Sequence, residues 1–154
     1  MNRNTCAAGL LLILTFSCKP AAAQADEAAV KAVVNQLFEG MKHGDTALIR
    51  AAFAPQPILQ TVEVDKEGKT RLLTEPLDSF LLAVASPHAQ VYDERIRFDA
   101  VRIDGELAIV WAPYRFYLGD QFSHCGADSF QLVRWEGRWK IQYLADTRRR
   151  RNCP

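Results

Sequence analysis

The stretch DGELAIVWAPYRFYLGDQFSHCGADSFQLVRWEGRWKIQYLAD, residues 104–146, carries three turn dipeptides at regular spacing: Asp104-Gly105, Gly119-Asp120 and Glu136-Gly137. The runs between them are rich in β-branched and aromatic residues, and a Gly at each joint supplies the left-handed backbone that a two-residue hairpin loop needs. From Val91 onward this pattern predicts four long strands joined as a meander.

Taking each joint as a two-residue loop fixes the neighbours across strands. In the last hairpin Phe130 then faces Tyr143, Leu132 faces Ile141 and Arg134 faces Trp139. In the preceding one Ile109 faces Phe130, Trp111 faces Asp128 and Arg115 faces His124. Side chains two apart share a face, so both turns predict the same inner set. Near the joints that set is apolar: Leu107, Ile109, Phe130, Leu132, Trp139 and Ile141. Toward the other end it holds Trp111, Arg115, His124, Asp128 and Tyr143, with Tyr117 near the rim and with Tyr114 and Phe116 facing outward. The Asp104-Gly105 hairpin leaves two registers, one with Ile96 and Phe98 inward and one with Val101 and Ile103.

Upstream the period is helical. Val30, Val33, Val34, Leu37, Phe38 and Met41 recur at the spacing of one helix face, with acids Asp26 and Glu27 at the start and Gly44 just past the end. Asp45 can cap a short second helix with Leu48, Ile49 and Phe53, stopped by Pro55 and Pro57. Ile58–Val64 and Thr70–Thr74 flank DKEGK, a hairpin turn signal. Pro76 suits the first turn of a third helix that Ser86-Pro87 ends. Helices first and an antiparallel sheet second is an α+β arrangement, with the helices covering one face of the sheet. A sheet that curls over helices and turns from apolar to polar along its length describes a cone, whose open end can hold a small molecule.

The ends set the compartment. Arg3, the apolar run Ala7–Phe16 and Ala23-Gln24-Ala25 read as a secretory signal over residues 1–25, cut after Ala25. The run is far shorter than the ~20 residues of a membrane-spanning helix. Cleavage before Cys18, with a lipid anchor on its thiol, is the alternative in LTFSC; both routes export the chain. Removing residues 1–25 takes Arg3 and Lys19 and no acid, so the formal charge of +1 becomes −1. Residues 26–154 are then one domain of ordinary size, with a basic tail at 148–154. Cys125 and Cys153 are the only cysteines left, and in an oxidising compartment they are expected to form a disulfide pinning that tail near the mouth of the cone.

Helix, short helix, strand pair, helix and then a curled meander with DGELAIVWAPYRFY and SFQLVRWEGRWKIQYLAD resembles the nuclear-transport-factor-2-like superfamily, which includes ketosteroid-isomerase-like and SnoaL-like domains. FYLGDQFSHCGADSFQLVR and WKIQYLADTRRR resemble its small exported bacterial branch labelled "putative lumazine-binding". The resemblance covers nearly all of 26–152 and implies a cone fold and a homodimer, for which outward Tyr114 and Phe116 are the expected support. Enzymes of that superfamily place an acid or an Asp/His pair on the concave wall. Here Asp128 and His124 are the candidates, while neither aligns with the base of a steroid isomerase.

Each candidate has a plainer reading: His124 as a hydrogen-bonded strand-end residue, Asp128 as half of an ion pair with Arg115, Trp111 as core. Four residues apart on one strand, His124 and Asp128 are separated by roughly 13 Å and form no direct dyad. Trp111, Arg115, Tyr117 and Tyr143 are the candidate ligand-binding residues. His124-Cys125 with a distant Cys153 lacks metal-ligand spacing, no cofactor motif is present, and Arg148–Arg151 on a chain of charge −1 reads as a solvated tail rather than a nucleic-acid arm. The expected protein is an exported cone that binds an unknown small, partly apolar molecule, with an isomerase or dehydratase and a non-catalytic interaction module as alternatives.

Overall fold

The structure is a computed structural model that describes residues 21–154, with side chains from Ala23 onward. Residues 1–20, with Cys6 and Cys18 and most of the expected signal over 1–25, lie outside the described residues.

The chain forms α1 (Ala21–His43), α2 (Thr46–Ala52), β1 (Phe53–Val64), β2 (Thr70–Glu75), α3 (Leu77–Ala85), β3 (Tyr92–Ile96), β4 (Ala100–Asp104), β5 (Leu107–Leu118), β6 (Gln121–Trp135) and β7 (Arg138–Thr147). Gly44, at a φ of 67°, takes the left-handed turn that closes α1. Asp45 then caps α2, its Oδ1 accepting from Leu48 N at 2.9 Å. In the β1–β2 turn Asp65 Oδ1 accepts from the amides of Glu67 and Lys69. α3 lies between its cap residues Pro76 and Ser86, with Pro87 just beyond.

One sheet holds every strand in the order β2-β1-β7-β6-β5-β3, with β4 also on β5. It is mixed rather than antiparallel throughout, because β1 lies parallel to β7 while all other pairs are antiparallel. The strand predicted first in the meander is two pieces. Residues 97–99 oppose only Ala112 and Pro113, so Ile96 pairs with Tyr114 while Ala100 pairs with Trp111. Pro113 accepts from Arg97 N but has no N–H to return, and the ladder breaks there. That extra residue is why Ile96, Val101 and Ile103 can all pack on the core.

Two further bulges decide the rest. The Gly119-Asp120 loop has two residues, as expected, and Leu118 pairs with Gln121, but the register then shifts at Ser123, so that Phe116 opposes His124 and Ala112 opposes Asp128. A shift of one residue exchanges the faces of a strand. Ala108, Val110, Ala112, Tyr114 and Phe116 therefore face inward, and Leu107, Ile109, Trp111, Arg115 and Tyr117 outward, the reverse of the expectation. In the last hairpin Leu132 does oppose Ile141 and Arg134 does oppose Trp139, but a shift near Gln142 sets Phe130 against Leu144 and Gln131 against Tyr143.

The core fills the space between α1 and β5–β7. Val30, Val34 and Leu37 meet Val110, Phe130, Leu132 and Ile141, and Phe38 stands edge-on to Phe130 at 6.2 Å between ring centres. The small residues Ala108 and Ala112 let the helix approach the sheet.

Candidate functional site

Beyond that core, toward the start of β3 and the end of β7, the helix and sheet separate and leave a cavity of about 370 Å³. Its apolar wall comes from α1 (Leu37, Phe38, Met41) and α3 (Phe80, Val84), and its aromatic wall from Tyr92, Tyr114 and Phe116. The polar side is supplied by the sheet: Glu94 from β3, His124 and Asp128 from β6, Asp146 from β7 and Arg148 just after it. Alternation along β6 places His124 and Asp128 on this one surface, as their spacing predicts.

Asp128 is 3% exposed and is the one buried charged residue of the described core. Its cross-strand neighbour is Asp146, its other flank is Ala112, and Glu94 reaches its carboxyl. Asp128 Oδ2 receives no hydrogen bond from any donor among the described residues. An acceptor-only oxygen so buried is costly, and a proton on the acid pair lowers the charge that is buried without giving Oδ2 a donor. Burial pushes the Asp128 carboxyl well above the ordinary aspartate range, with Glu94 and Asp146 adding to the effect. Burial and then the charge of Asp146 push Glu94 up to about 8. At neutral pH the pair retains at least one proton.

Asp146 is held differently. It accepts from Thr61 Oγ1 at 2.6 Å and from Arg148 Nε at 2.8 Å, and it shares the Tyr114 hydroxyl, 3.2 Å away, with the nearer Thr147 carbonyl oxygen at 3.0 Å. Burial, and then the charge of Asp146, pushes the Tyr114 hydroxyl up. His124 lies against Phe116 at 4.9 Å and edge-on to Tyr114 at 5.7 Å, with Ser123 Oγ 3.1 Å from Nδ1. Burial, then the positive charge of Arg148, lowers its pKa and keeps the ring neutral. Near pH 7 the cavity thus combines a proton-holding acid pair, a neutral imidazole and a phenol in apolar surroundings, which suits hydrogen bonding and proton transfer.

The other expected ligand-binding residues fall elsewhere. Trp111 is on the outer face at 47% exposure, between Ala100 and Ser129. Arg115 is exposed there too, so no Asp128–Arg115 pair forms. Tyr117 lies outside under the Arg95 guanidinium, 4.1 Å from its ring centre. Tyr143 Oη donates to Gln60 Oε1 at 2.7 Å on the outer side. All four errors trace to the bulges near Ser123 and Gln142. Glu94, Tyr114, Asp146 and Arg148 are the residues the sequence reading missed.

Cys125 and Cys153 form the expected disulfide, with Cα atoms 5.7 Å apart. The tail returns along the outer side of β6, where Cys125 pairs with Arg149. Arg148 reaches the cavity while its neighbour is tied to the sheet. Among the described residues no group of three His, Cys, Asp or Glu is placed to hold a metal ion.

Residues 25–143 match the family described as "Putative lumazine-binding". The chain belongs to that family. The match ends before Asp146, Arg148 and the disulfide-bonded tail, which are read from this chain alone. Solved structures share the nuclear-transport-factor-2-like fold. An NTF2-like protein of unknown function from Shewanella baltica is 20% identical, with 85% of this chain and 98% of that one covered and a TM-score of 0.61. Another, from Silicibacter pomeroyi, is 21% identical over 82% and 98%, with a TM-score of 0.63. The beta subunit of "a putative aromatic-ring-hydroxylating dioxygenase" from Novosphingobium aromaticivorans is 11% identical over 82% and 91%, with a TM-score of 0.68. No curated protein matches the chain.

Proposed function

We propose that this protein binds a small, partly apolar molecule in its cone. The observation that carries the reading is Asp128: a buried carboxyl with an unpartnered oxygen, facing a cavity of about 370 Å³ whose other walls are apolar and aromatic. The family description, which names a small heteroaromatic ligand, supports the class and not the compound. Native mass spectrometry of the protein purified from its own compartment, set against a denatured sample, is the test. A co-purifying small molecule is the expected result, and a chain that is empty and takes up no neutral apolar dye would overturn the reading.

A second reading, an isomerase- or dehydratase-type enzyme, is favoured by one observation: the proton-holding Glu94–Asp128 pair and a neutral His124 line the same cavity. On this reading Asp128→Asn abolishes turnover of the co-purified molecule while its binding survives. Undiminished turnover in that variant excludes the role.

The setting belongs to the proposal as well. Export is supported by the N-terminal signal pattern and by the Cys125–Cys153 disulfide. A homodimer is supported by the outer face, where Leu107, Ile109 and Trp111 are exposed; Tyr114 and Phe116 face the cavity and play no part in it.

A further inference from the structure

The cavity's charges are unequally partnered. Asp146 is paired with Arg148, whereas no Lys, Arg or His among the described residues lies within ion-pairing distance of Glu94 or Asp128. The charged and titratable groups that face the pair are Tyr92 on β3, Tyr114 on β5, His124 on β6, Asp146 and Arg148 at the end of β7, and Glu75 at the end of β2. From α1 and α3 only apolar side chains line the space: Leu37, Phe38, Met41, Phe80, Ala83 and Val84. Acids outnumber cations, and the one cation is engaged. The unpartnered Asp128 Oδ2 is buried at the cavity wall, which separates it from a merely acidic surface cluster.

We infer that the cavity takes an organic cation, a protonated amine on an aromatic or apolar body, with its ammonium between Glu94 and Asp128 and its body against Tyr92, Phe116 and Phe38. This rests on the small-molecule reading above and deepens it. An ammonium donates to up to three acceptors and supplies the donor that Asp128 Oδ2 lacks. Aromatic faces stabilise the same cation through their quadrupoles. A neutral ligand uses the apolar walls but leaves the second carboxyl without a counter-charge. An anion meets Asp146, Glu75 and the acid pair together. A metal ion is the poorer occupant, because the acids do not converge on one point.

Proton balance makes the inference measurable. In the free protein the pair holds at least one proton at pH 7; bound to an ammonium it ionises, and that proton leaves to solvent. Binding therefore tightens as pH rises from 6 toward 8, below the range in which a primary amine loses its own proton.

The full chain would be titrated calorimetrically with 2-phenylethylamine, 2-phenylethanol and phenylacetate at pH 6 and pH 8, in buffers of different ionisation enthalpy. The amine is expected to bind at least about tenfold tighter than the alcohol at pH 8, the value of one charge-assisted hydrogen bond. It is also expected to tighten severalfold from pH 6 to pH 8 and to release protons on binding. Glu94→Gln and Asp128→Asn should each weaken the amine about tenfold and the alcohol by much less, so that the amine's advantage over the alcohol shrinks. The alcohol or phenylacetate binding as tightly as the amine overturns the inference and leaves the cone a binding site. Failure of all three, and of Nile red, overturns both.

Discussion

Asp128 and Asp146 stand directly opposite each other on neighbouring strands, with Glu94 against the first. Like charges so placed destabilise a sheet. The proton on the Glu94–Asp128 pair relieves this in the folded chain, so the pair couples stability to pH. Both acids have raised folded values, so they contribute stability that is full below their ordinary values of 3.8 and 4.5 and is lost as pH rises, for Glu94 through about 8. His124 acts in the opposite sense, but only at and below its ordinary 6.5. Asp26, Asp65, Asp93 and Asp99 have lowered values and titrate well below this range. The window from about pH 6.5 to 8 therefore belongs to the acid pair. The melting temperature is expected to fall there on the order of 5 °C. Differential scanning calorimetry checks it, and Asp128→Asn should flatten the slope and raise the melting temperature at pH 8. An equally steep slope in that variant would exclude the pair as its source.

At the scale of elements, the turns and helices were legible and the faces of two strands were not. Gly44, Asp45 and Pro76 mark boundaries by local backbone chemistry, which a sequence displays directly. The inner face of β6 was also legible, because Asp128, Phe130 and Leu132 alternate with polar residues. β5 offers no such alternation: in LAIVWAPYRFY both faces are apolar, so nothing opposes a slip. What marks its inner face is size, since Ala108, Val110 and Ala112 are the small set that a helix can approach closely. Pro113 was the visible sign of a broken ladder, whereas Ser123 and Gln142 carry no bulge signature. β6 and β7 are also joined beyond their hairpin. A Cβ on Gly126 would lie 1.7 Å from the Thr147 carbonyl oxygen, so Gly126→Ala should displace the tail strand and cost several kcal/mol, read by denaturant melts. The disulfide closes a loop over a separation of 28 residues, and Cys153→Ser should cost about 3 kcal/mol. Amide exchange at Cys125 and Arg149, whose backbones bond each other in both directions, should accelerate with it. Unchanged protection there would mean that the tail holds its place without the bridge.

For the molecule as a whole, the mixed sheet has one face committed to the core and cavity and one that presents large apolar groups. On the outer side of β5, Ile109 stands between Arg102 and Gln131, and Trp111 between Ala100 and Ser129. Small neighbours leave the indole standing proud, with Trp111 at 47% and Ile109 at 48% exposure. A single exposed apolar residue needs no explanation, but Leu107, Ile109 and Trp111 in one row on a strand make a continuous strip. A two-fold axis through such a strip would bury the same row from each copy. Sedimentation velocity at micromolar concentration should give a dimer. Trp111→Glu would place a carboxylate near its own symmetry mate and is expected to give a monomer. Because Trp111 is on the far side of the sheet from Asp128, that monomer should keep the ligand affinity and the pH-dependent melting of the parent. Loss of cavity binding together with dissociation would instead tie the cone's shape to the dimer. A parent chain that sediments as a monomer would exclude this face as a self-association surface.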